Sequence, residues 1–272
     1  MKKVVNTVGI LFVIFMAIVT IFPFVYMVLA GLMTYQEAVS IPPTLIPANP
    51  QFINYDLVFA KAPFIRYFFN TVFVSLTTTA GILVTSVLAG FALVKLEFKH
   101  KNLVTLIMVS LLMVPYESIV FTNFLTIAKL QLIDTYWALI IPSLASVFYI
   151  FYLQNYLKSI PSSYYKAAKI DGCGDIEFIG KILIPLTKPA LVTVGILSFI
   201  SGWNSFLWPL LVTNQKELRL LNNGLSAFTT ESGSDVHLQM AAATLTIIPI
   251  IIIYLVFRKQ IIQGVAKNGI KG

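Results

Sequence analysis

Cysteine occurs once, at Cys173, and histidine twice, at His100 and His237, in a chain of 272 residues. A lone thiol excludes an intrachain disulfide and a four-cysteine metal centre. The histidines lie far apart, with no neighbouring cysteine or acidic cluster, so no metal site is expected. Charge is scarce as well: 11% of residues are Asp, Glu, Lys or Arg, against about 25% in ordinary soluble chains. Too few polar side chains remain to cover a water-facing surface, so lipid must be the solvent for much of the chain. What is abundant is apolar, 58% of all residues, and it is gathered into long runs.

A helix needs about 20 largely apolar residues to cross the hydrocarbon core. No charge appears between Lys3 and Glu37, Arg66 and Lys95, Asp134 and Lys158, Lys188 and Lys216, or Asp235 and Arg258. A sixth run, Asn102 to Thr126, is broken only by Glu117. The expected architecture is therefore all-α and transmembrane, a single domain over 1–272 with six spans near 8–32, 68–94, 103–126, 136–157, 190–213 and 239–257. The first run follows Lys2 and Lys3 and contains Val28-Leu29-Ala30, as a cleaved signal peptide would. Its apolar stretch exceeds the 7–15 residues of a signal core, so an uncleaved first helix is expected.

The net charge of +8 fits either a nucleic-acid binder or a membrane protein with basic interior loops. With six spans and an interior N-terminus, the interior holds 14 basic and four acidic residues, and the exterior five basic and seven acidic. That asymmetry places both termini in the cytoplasm. No basic run is interleaved with aromatics, so no nucleic-acid partner is expected. The exterior stretch from Thr34 to Tyr67 carries Pro42, Pro43, Pro47, Pro50 and Pro63 and reads as an ordered irregular cap. Asn214 to Gln239 is rich in Gly, Ser, Thr and Asn and reads equally as a flexible link or a reach toward an external partner.

The largest interior loop, 158–189, has its own plan. Pro161-Ser162-Ser163 starts a short helix, with either serine able to cap it. Ala167 and Ala168 offer small side chains to an approaching surface, and Gly172 suits a left-handed helix end. Asp175 can cap a second helix, on which Ile176, Ile179 and Leu183 share a face, and Pro185 and Pro189 close the loop. Such a knob is built either to be gripped or merely to join two spans at the interface.

Lys166-Ala167-Ala168, three residues, Gly172, nine residues, then Ile182-x-Ile184-Pro185 resembles the signature loop of binding-protein-dependent ABC importer permeases. That signature reads Glu-Ala-Ala, three residues, Gly, nine residues, Ile, one residue, Leu-Pro. Trp203-Asn204-x-Phe206-Leu207-Trp208-Pro209, Met240-Ala241-Ala242 and the closing Gly264 to Gly272 look like the carbohydrate branch, in its second permease of the maltose-transporter type. The resemblance runs from Pro23 to the end. It implies a bacterial cell-membrane subunit that pairs with a second, homologous permease, two ATP-binding ATPase subunits and an extracellular solute-binding protein to import a sugar, expected to be an oligosaccharide. ATP and Mg would be bound by the ATPase, and no cofactor and no catalytic residue by this chain.

The resemblance also implies site residues. Lys166, Ala167, Ala168, Asp171, Gly172, Ile182 and Pro185 would couple to the ATPase. The tail, 259–272, would insert between the ATPases through Gly264, Lys267, Gly269 and Lys271. Glu117, as a carboxylate within a span, and Trp203, Asn204 and Trp208, as stacking and amide groups, are candidates for the solute path. The chain departs from the pattern at Lys166, which stands where the family carries glutamate, and at Ile184 in place of leucine. Gly174 to Lys181 superficially resembles a phosphate-binding loop, but five residues separate its glycines and Ile182 stands where Ser or Thr would hold Mg²⁺. Rival readings are an ABC permease for a polyol, glycerol-phosphate or peptide, an ion-coupled secondary transporter, and a membrane scaffold. The second rival needs buried Asp, Glu or His for its coupling ion, and beyond Glu117 the spans offer almost none.

Overall fold

A computed structural model describes the backbone of residues 2–230 and 233–269, and side chains of 6–229 and 235–259. In chain order its helices are α1 (Lys2–Ala30), α2 (Tyr35–Ala38), α3 (Ile53–Lys61), α4 (Phe64–Lys95), α5 (Lys101–Leu111), α6 (Tyr116–Lys129) and α7 (Tyr136–Ile140). There follow α8 (Val147–Lys158), α9 (Ser162–Ile170), α10 (Asp175–Phe178), α11 (Ile184–Trp203), α12 (Leu207–Val212), α13 (Leu221–Gly224) and α14 (Val236–Gly269). Among the described residues the sole sheet is a ribbon of β1 (Thr229–Thr230) and β2 (Gly233–Ser234), two residues each. The chain is a helical membrane protein.

Four helical stretches, Asn6–Ala30, Phe64–Lys95, Asp175–Trp203 and Val236–Lys259, are long and apolar enough to cross a membrane alone. Two bent pairs pass the same test together, which gives up to six spans. The stretch 103–126, expected as one helix, is α5 and α6 with a bend of 100° between them. Pro115 is the cause: it lacks the N–H that Leu111 would need, and it occupies the extended N-cap of α6 (ψ 140°). Pro142 lies in the single tight turn Ile141–Ser143 between α7 and α8, where the second pair bends by 40°. The fifth span differs most. Its helix begins at Asp175, passes Pro185 and Pro189, and stops at Trp203, whereas 190–213 was expected. Ahead of the prolines the backbone widens into a π turn, Ile179–Leu183, which accommodates carbonyls that proline cannot serve. Pro209 likewise cannot serve Ser205, and the helix restarts as α12.

Contacts divide the chain into two compact units, Met1–Ile65 with Gly224–Ile252, and Arg66–Asn223 with Ile253–Gly272. In the first, Gly31 is where helices meet: a Cβ there would lie 2.9 Å from Ala241 N, and Ala241 and Ala242 are fully buried. Asn54, buried on α3, donates through Nδ2 to Gly31 O (3.0 Å) and Met33 O (2.8 Å). Thr34 and Glu37 form a reciprocal capping box at α2. The Glu37 carboxylate also accepts from Ala48 N at 3.0 Å, so the proline-rich stretch after α2 is tied down. These N–H donors, Thr34 first, hold Glu37 below the usual carboxylate range. Asn54→Ala strands two carbonyls next to a tight helix contact and should destabilise the protein by about 1–3 kcal/mol. Thermal unfolding in detergent measures this.

In the second unit, α4 presents Thr71, Ser75, Thr78, Thr79 and Ser86 as a buried face of small polar side chains. Small residues let helices approach closely in lipid. A Cβ on Gly202 of α11 would lie 3.2 Å from Ser75 Oγ, and Ser198 Oγ reaches Thr79 Oγ1 at 3.4 Å. Asp134, at φ 60°, anchors the start of the polar stretch 214–239. It accepts from Asn214 N (2.5 Å), Gln215 N (2.9 Å) and Asn214 Nδ2 (3.3 Å). Asn222 and Asn223 bond Trp203 O and Thr213 Oγ1, so this half of the stretch is an anchored loop.

Partial burial works against the ionised Asp134, yet its three N–H donors prevail and its pKa is lowered. A lowered carboxylate contributes stability that is present above its unfolded pKa, near 3.9, and is lost as pH falls through the folded value. Asp134→Asn should therefore lower the melting temperature at pH 7, and the gap to the parent should close as the pH falls below about 4.

Candidate coupling knob and solute cavity

Between α8 and α11 the chain makes a compact knob. Pro161 occupies the N-cap of α9 and no side chain caps it, so neither Ser162 nor Ser163 has the expected role. Pro161 is already extended (ψ 137°), and the serines fall inside the first turn, where their hydroxyls no longer reach the free N–H groups. The other end of α9 follows expectation. Gly172 has φ 78°, its N–H donates to Lys169 O at 3.1 Å, and Cys173 N donates to Ala168 O at 2.9 Å. These two bonds are the Schellman closure.

Asp175 is not a cap either. Gly174 holds the N-cap of α10, and the Asp175 carboxylate is drawn back to α9, accepting from Tyr165 OH at 2.7 Å and pairing with Lys169 Nζ at 2.6 Å. That clasp fixes the corner between the two helices. The expected face of Ile176, Ile179 and Leu183 also changes: Ile176 is 84% exposed, while Phe178 is 0% exposed and Ile179 and Leu183 are buried. Phe178 packs against Tyr165 and Phe91, with ring centroids 5.0 Å and 6.1 Å away. The same cluster takes in Val87 on α4 and Leu153 and Leu157 on α8. The knob is thereby fused to the helices that carry it.

Its outer surface is mixed. Lys166, Ala167, Asp171, Gly172 and Pro185 are exposed, Ile182 is half-buried, and Ile170 is 86% exposed. Ala168 faces inward and is buried in the core cluster, so it packs the knob instead of receiving a partner. Lys166 has no ion-pair partner among the described residues. It borders a cleft with Lys95, Glu97, Lys101 and Lys158. Towards the end of the chain, α14 continues to Gly269, so Gly264, Lys267 and Gly269 extend a helix where a separate tail was expected. Lys271 and the side chain of Lys267 lie outside the described residues.

A second feature lies further along α4 and α11. A cavity of about 360 Å³ is lined by hydroxyl-bearing residues, among them Ser143, Tyr149, Ser201 and Ser205, with Tyr116, Phe206 and Trp208 as aromatic walls. Trp208 Nε1 donates to Ala138 O at 2.9 Å, leaving its ring, not its N–H, to a ligand. The other expected solute-path residues are elsewhere. Trp203 is buried at 1% exposure against Phe68 and Phe199, and Asn204 and Glu117 are exposed and do not line the cavity. The bend at Pro115 turns Tyr116 into the cavity wall in place of Glu117. No sequence signal singled out these serines: Ser198 and Ser201 stand three apart on α11, while Ser205 follows beyond the end of that helix. Among the described residues no group of His, Cys, Asp and Glu could hold a metal ion.

The profile of a family described as "Binding-protein-dependent transport system inner membrane component" matches residues 58–267. The arabinooligosaccharides transport system permease protein AraQ of Halalkalibacterium halodurans is 32% identical, over 95% of this chain and 94% of that one. The sn-glycerol-3-phosphate transport system permease protein UgpE of Escherichia coli is 31% identical, over 92% of each. The sulfoquinovosyl glycerol transport system permease protein SmoH of Agrobacterium fabrum is 30% identical, over 93% and 89%. A crystal structure of a bacterial ABC transporter involved in the import of the acidic polysaccharide alginate has a chain with TM-score 0.83 and 25% identity, over 95% and 96%.

Proposed function

The chain belongs to the binding-protein-dependent transport system inner membrane components, and from that premise we propose that it is a permease subunit of an ATP-driven sugar importer. The observation that carries the reading is the knob: a clasped, core-anchored projection whose exposed residues include Lys166, Ala167, Ile170 and Gly172. It pairs with a second permease to enclose a path. An ATPase subunit grips the knob of each, on the cytoplasmic side where both termini also lie, and the end of α14 with Gly264, Lys267, Gly269 and Lys271 reaches the ATPases.

ATP hydrolysis belongs to those partners, and this chain supplies no catalytic group. When ATP draws the two ATPases together, a knob fused to α4, α8 and α11 moves those helices as a lever. The path then opens outward to receive a sugar from an external binding protein. ATP shifts this equilibrium only by favouring one of the two states. Lys166 meets the ATPase with a positive charge where the family signature has glutamate, which fits a partner groove bearing a carboxylate.

Reconstitution with the neighbouring permease, ATPase and binding protein tests the reading. Sugar-dependent uptake and sugar-stimulated ATP hydrolysis are expected, and both should vanish without the ATPase. Uptake that survives loss of the ATPase would make the chain a secondary transporter.

A further inference from the structure

The cavity between α4 and α11 bears on which solutes pass. Its polar complement is unusual in kind. Among the described residues that line it there is no Asp, Glu, Lys, Arg or His, and five of them carry hydroxyls with no hydrogen-bond partner among the described residues: Tyr116, Ser143, Tyr149, Ser201 and Ser205. Thr78 and Ser198, which also line it, already donate to Val74 O and Val194 O; their oxygens keep acceptor capacity only. Around these groups stand apolar and aromatic walls from Val74, Ile82, Phe206 and Trp208. At about 360 Å³ the space falls within the range of small-molecule sites, about 300–1,000 Å³.

We propose that this cavity is a solute subsite for an uncharged polyhydroxylated ligand, a neutral sugar unit, and that it rejects anionic solutes. The proposal rests on the transport reading above and narrows it. Free hydroxyls both donate and accept, which matches the hydroxyls of a sugar ring, while the Trp208 and Phe206 rings cover its apolar faces. A carboxylate, phosphate or sulfonate entering the same space finds no cation among the described residues that this chain supplies to it, and an unpaired charge taken out of water is strongly disfavoured. The chain thereby sorts with the arabinooligosaccharide relative in ligand charge, and apart from the relatives named for glycerol phosphate or a sulfosugar. The subsite is built from Ser143, Ser201 and Ser205 in place of the Trp203 and Asn204 that the family motif suggested.

The test uses the complete reconstituted transporter with its binding protein. Uptake is measured for arabinotriose, maltotriose, glycerol 3-phosphate and trigalacturonate, and solute-stimulated ATP hydrolysis is followed in parallel. The neutral trisaccharides should be taken up at least a hundredfold more efficiently than either anion. Ser201→Ala and Ser205→Ala should each raise the half-saturating concentration of the neutral sugar about three- to tenfold, the value of one hydrogen bond, whereas Asn204→Ala should leave it unchanged. If neutral sugar drives transport but the serine variants match the parent, the cavity assignment is wrong and the importer reading stands. If only the anions drive transport, the charge selectivity is wrong. If no sugar of either charge stimulates hydrolysis in an assembled complex, the importer reading itself fails and the subsite falls with it.

Discussion

Gly172→Pro is expected to reduce both ATPase association and solute-stimulated hydrolysis more than tenfold, with the largest effect of any single change in the knob. Proline fixes φ near −65°, and Gly172 sits at φ 78°. It would also remove the N–H that donates to Lys169 O and push Asp171, now at φ −74° and ψ 3°, toward extended backbone. The Schellman closure cannot survive these changes, so the corner between α9 and α10 opens and Lys169 leaves Asp175. The local penalty is about 3 kcal/mol or more. Gly172→Ala meets no neighbour within 4 Å and bears only the left-handed strain of about 1–2 kcal/mol, so it should retain most coupling. Copurification with the ATPase and stimulated hydrolysis are the measurements, and a proline variant that assembles and transports normally would remove the basis for the docking assignment.

Phe178→Ala should lower stability by about 3–5 kcal/mol and do so at the joint between knob and core. The ring is fully buried between Tyr165 and Phe91, and its loss leaves a cavity on the path through which the knob would push α4. Hydrolysis should then proceed with little transport, because the ATPase grips a projection that no longer moves its helices. Phe178→Leu keeps most of the volume and should cost less than about 1.5 kcal/mol. Uptake per ATP hydrolysed, together with the rate of proteolysis within 158–189, separates this uncoupling from general unfolding.

What could be read from the sequence followed from local rules. The apolar runs locate the helices because lipid demands them, and Gly172 marks the left-handed corner because few other residues tolerate it. The rest depends on partners distant in the chain. Ile176 and Phe178 both fit a helical face, and only packing against Phe91 on α4 and Leu153 and Leu157 on α8 decides that Phe178 goes inward. Asp175 fits a cap by type, yet Tyr165 and Lys169 compete for its carboxylate and prevail.

Proline has opposite effects at different points of the chain. Pro115 bends a span by 100°, while Pro185 stands in the first turn of α11 directly after the π turn and Pro189 within α11, and the helix continues past both. The cavity was hidden because its hydroxyls come from α6, α8, the turn after α7, and both sides of the break at Asn204. No short motif contains them.

The most direct test of the account places a single thiol on the knob. Ile170 is 86% exposed, and Ile170→Cys in a Cys173→Ser background leaves one cysteine in the chain. The measurement is its labelling by a membrane-impermeant maleimide in inverted and right-side-out vesicles, with and without the ATPase. Labelling is expected in inverted vesicles alone, slowed at least tenfold when the ATPase is bound. Labelling from the outer face, or an equal rate with and without bound ATPase, would contradict it.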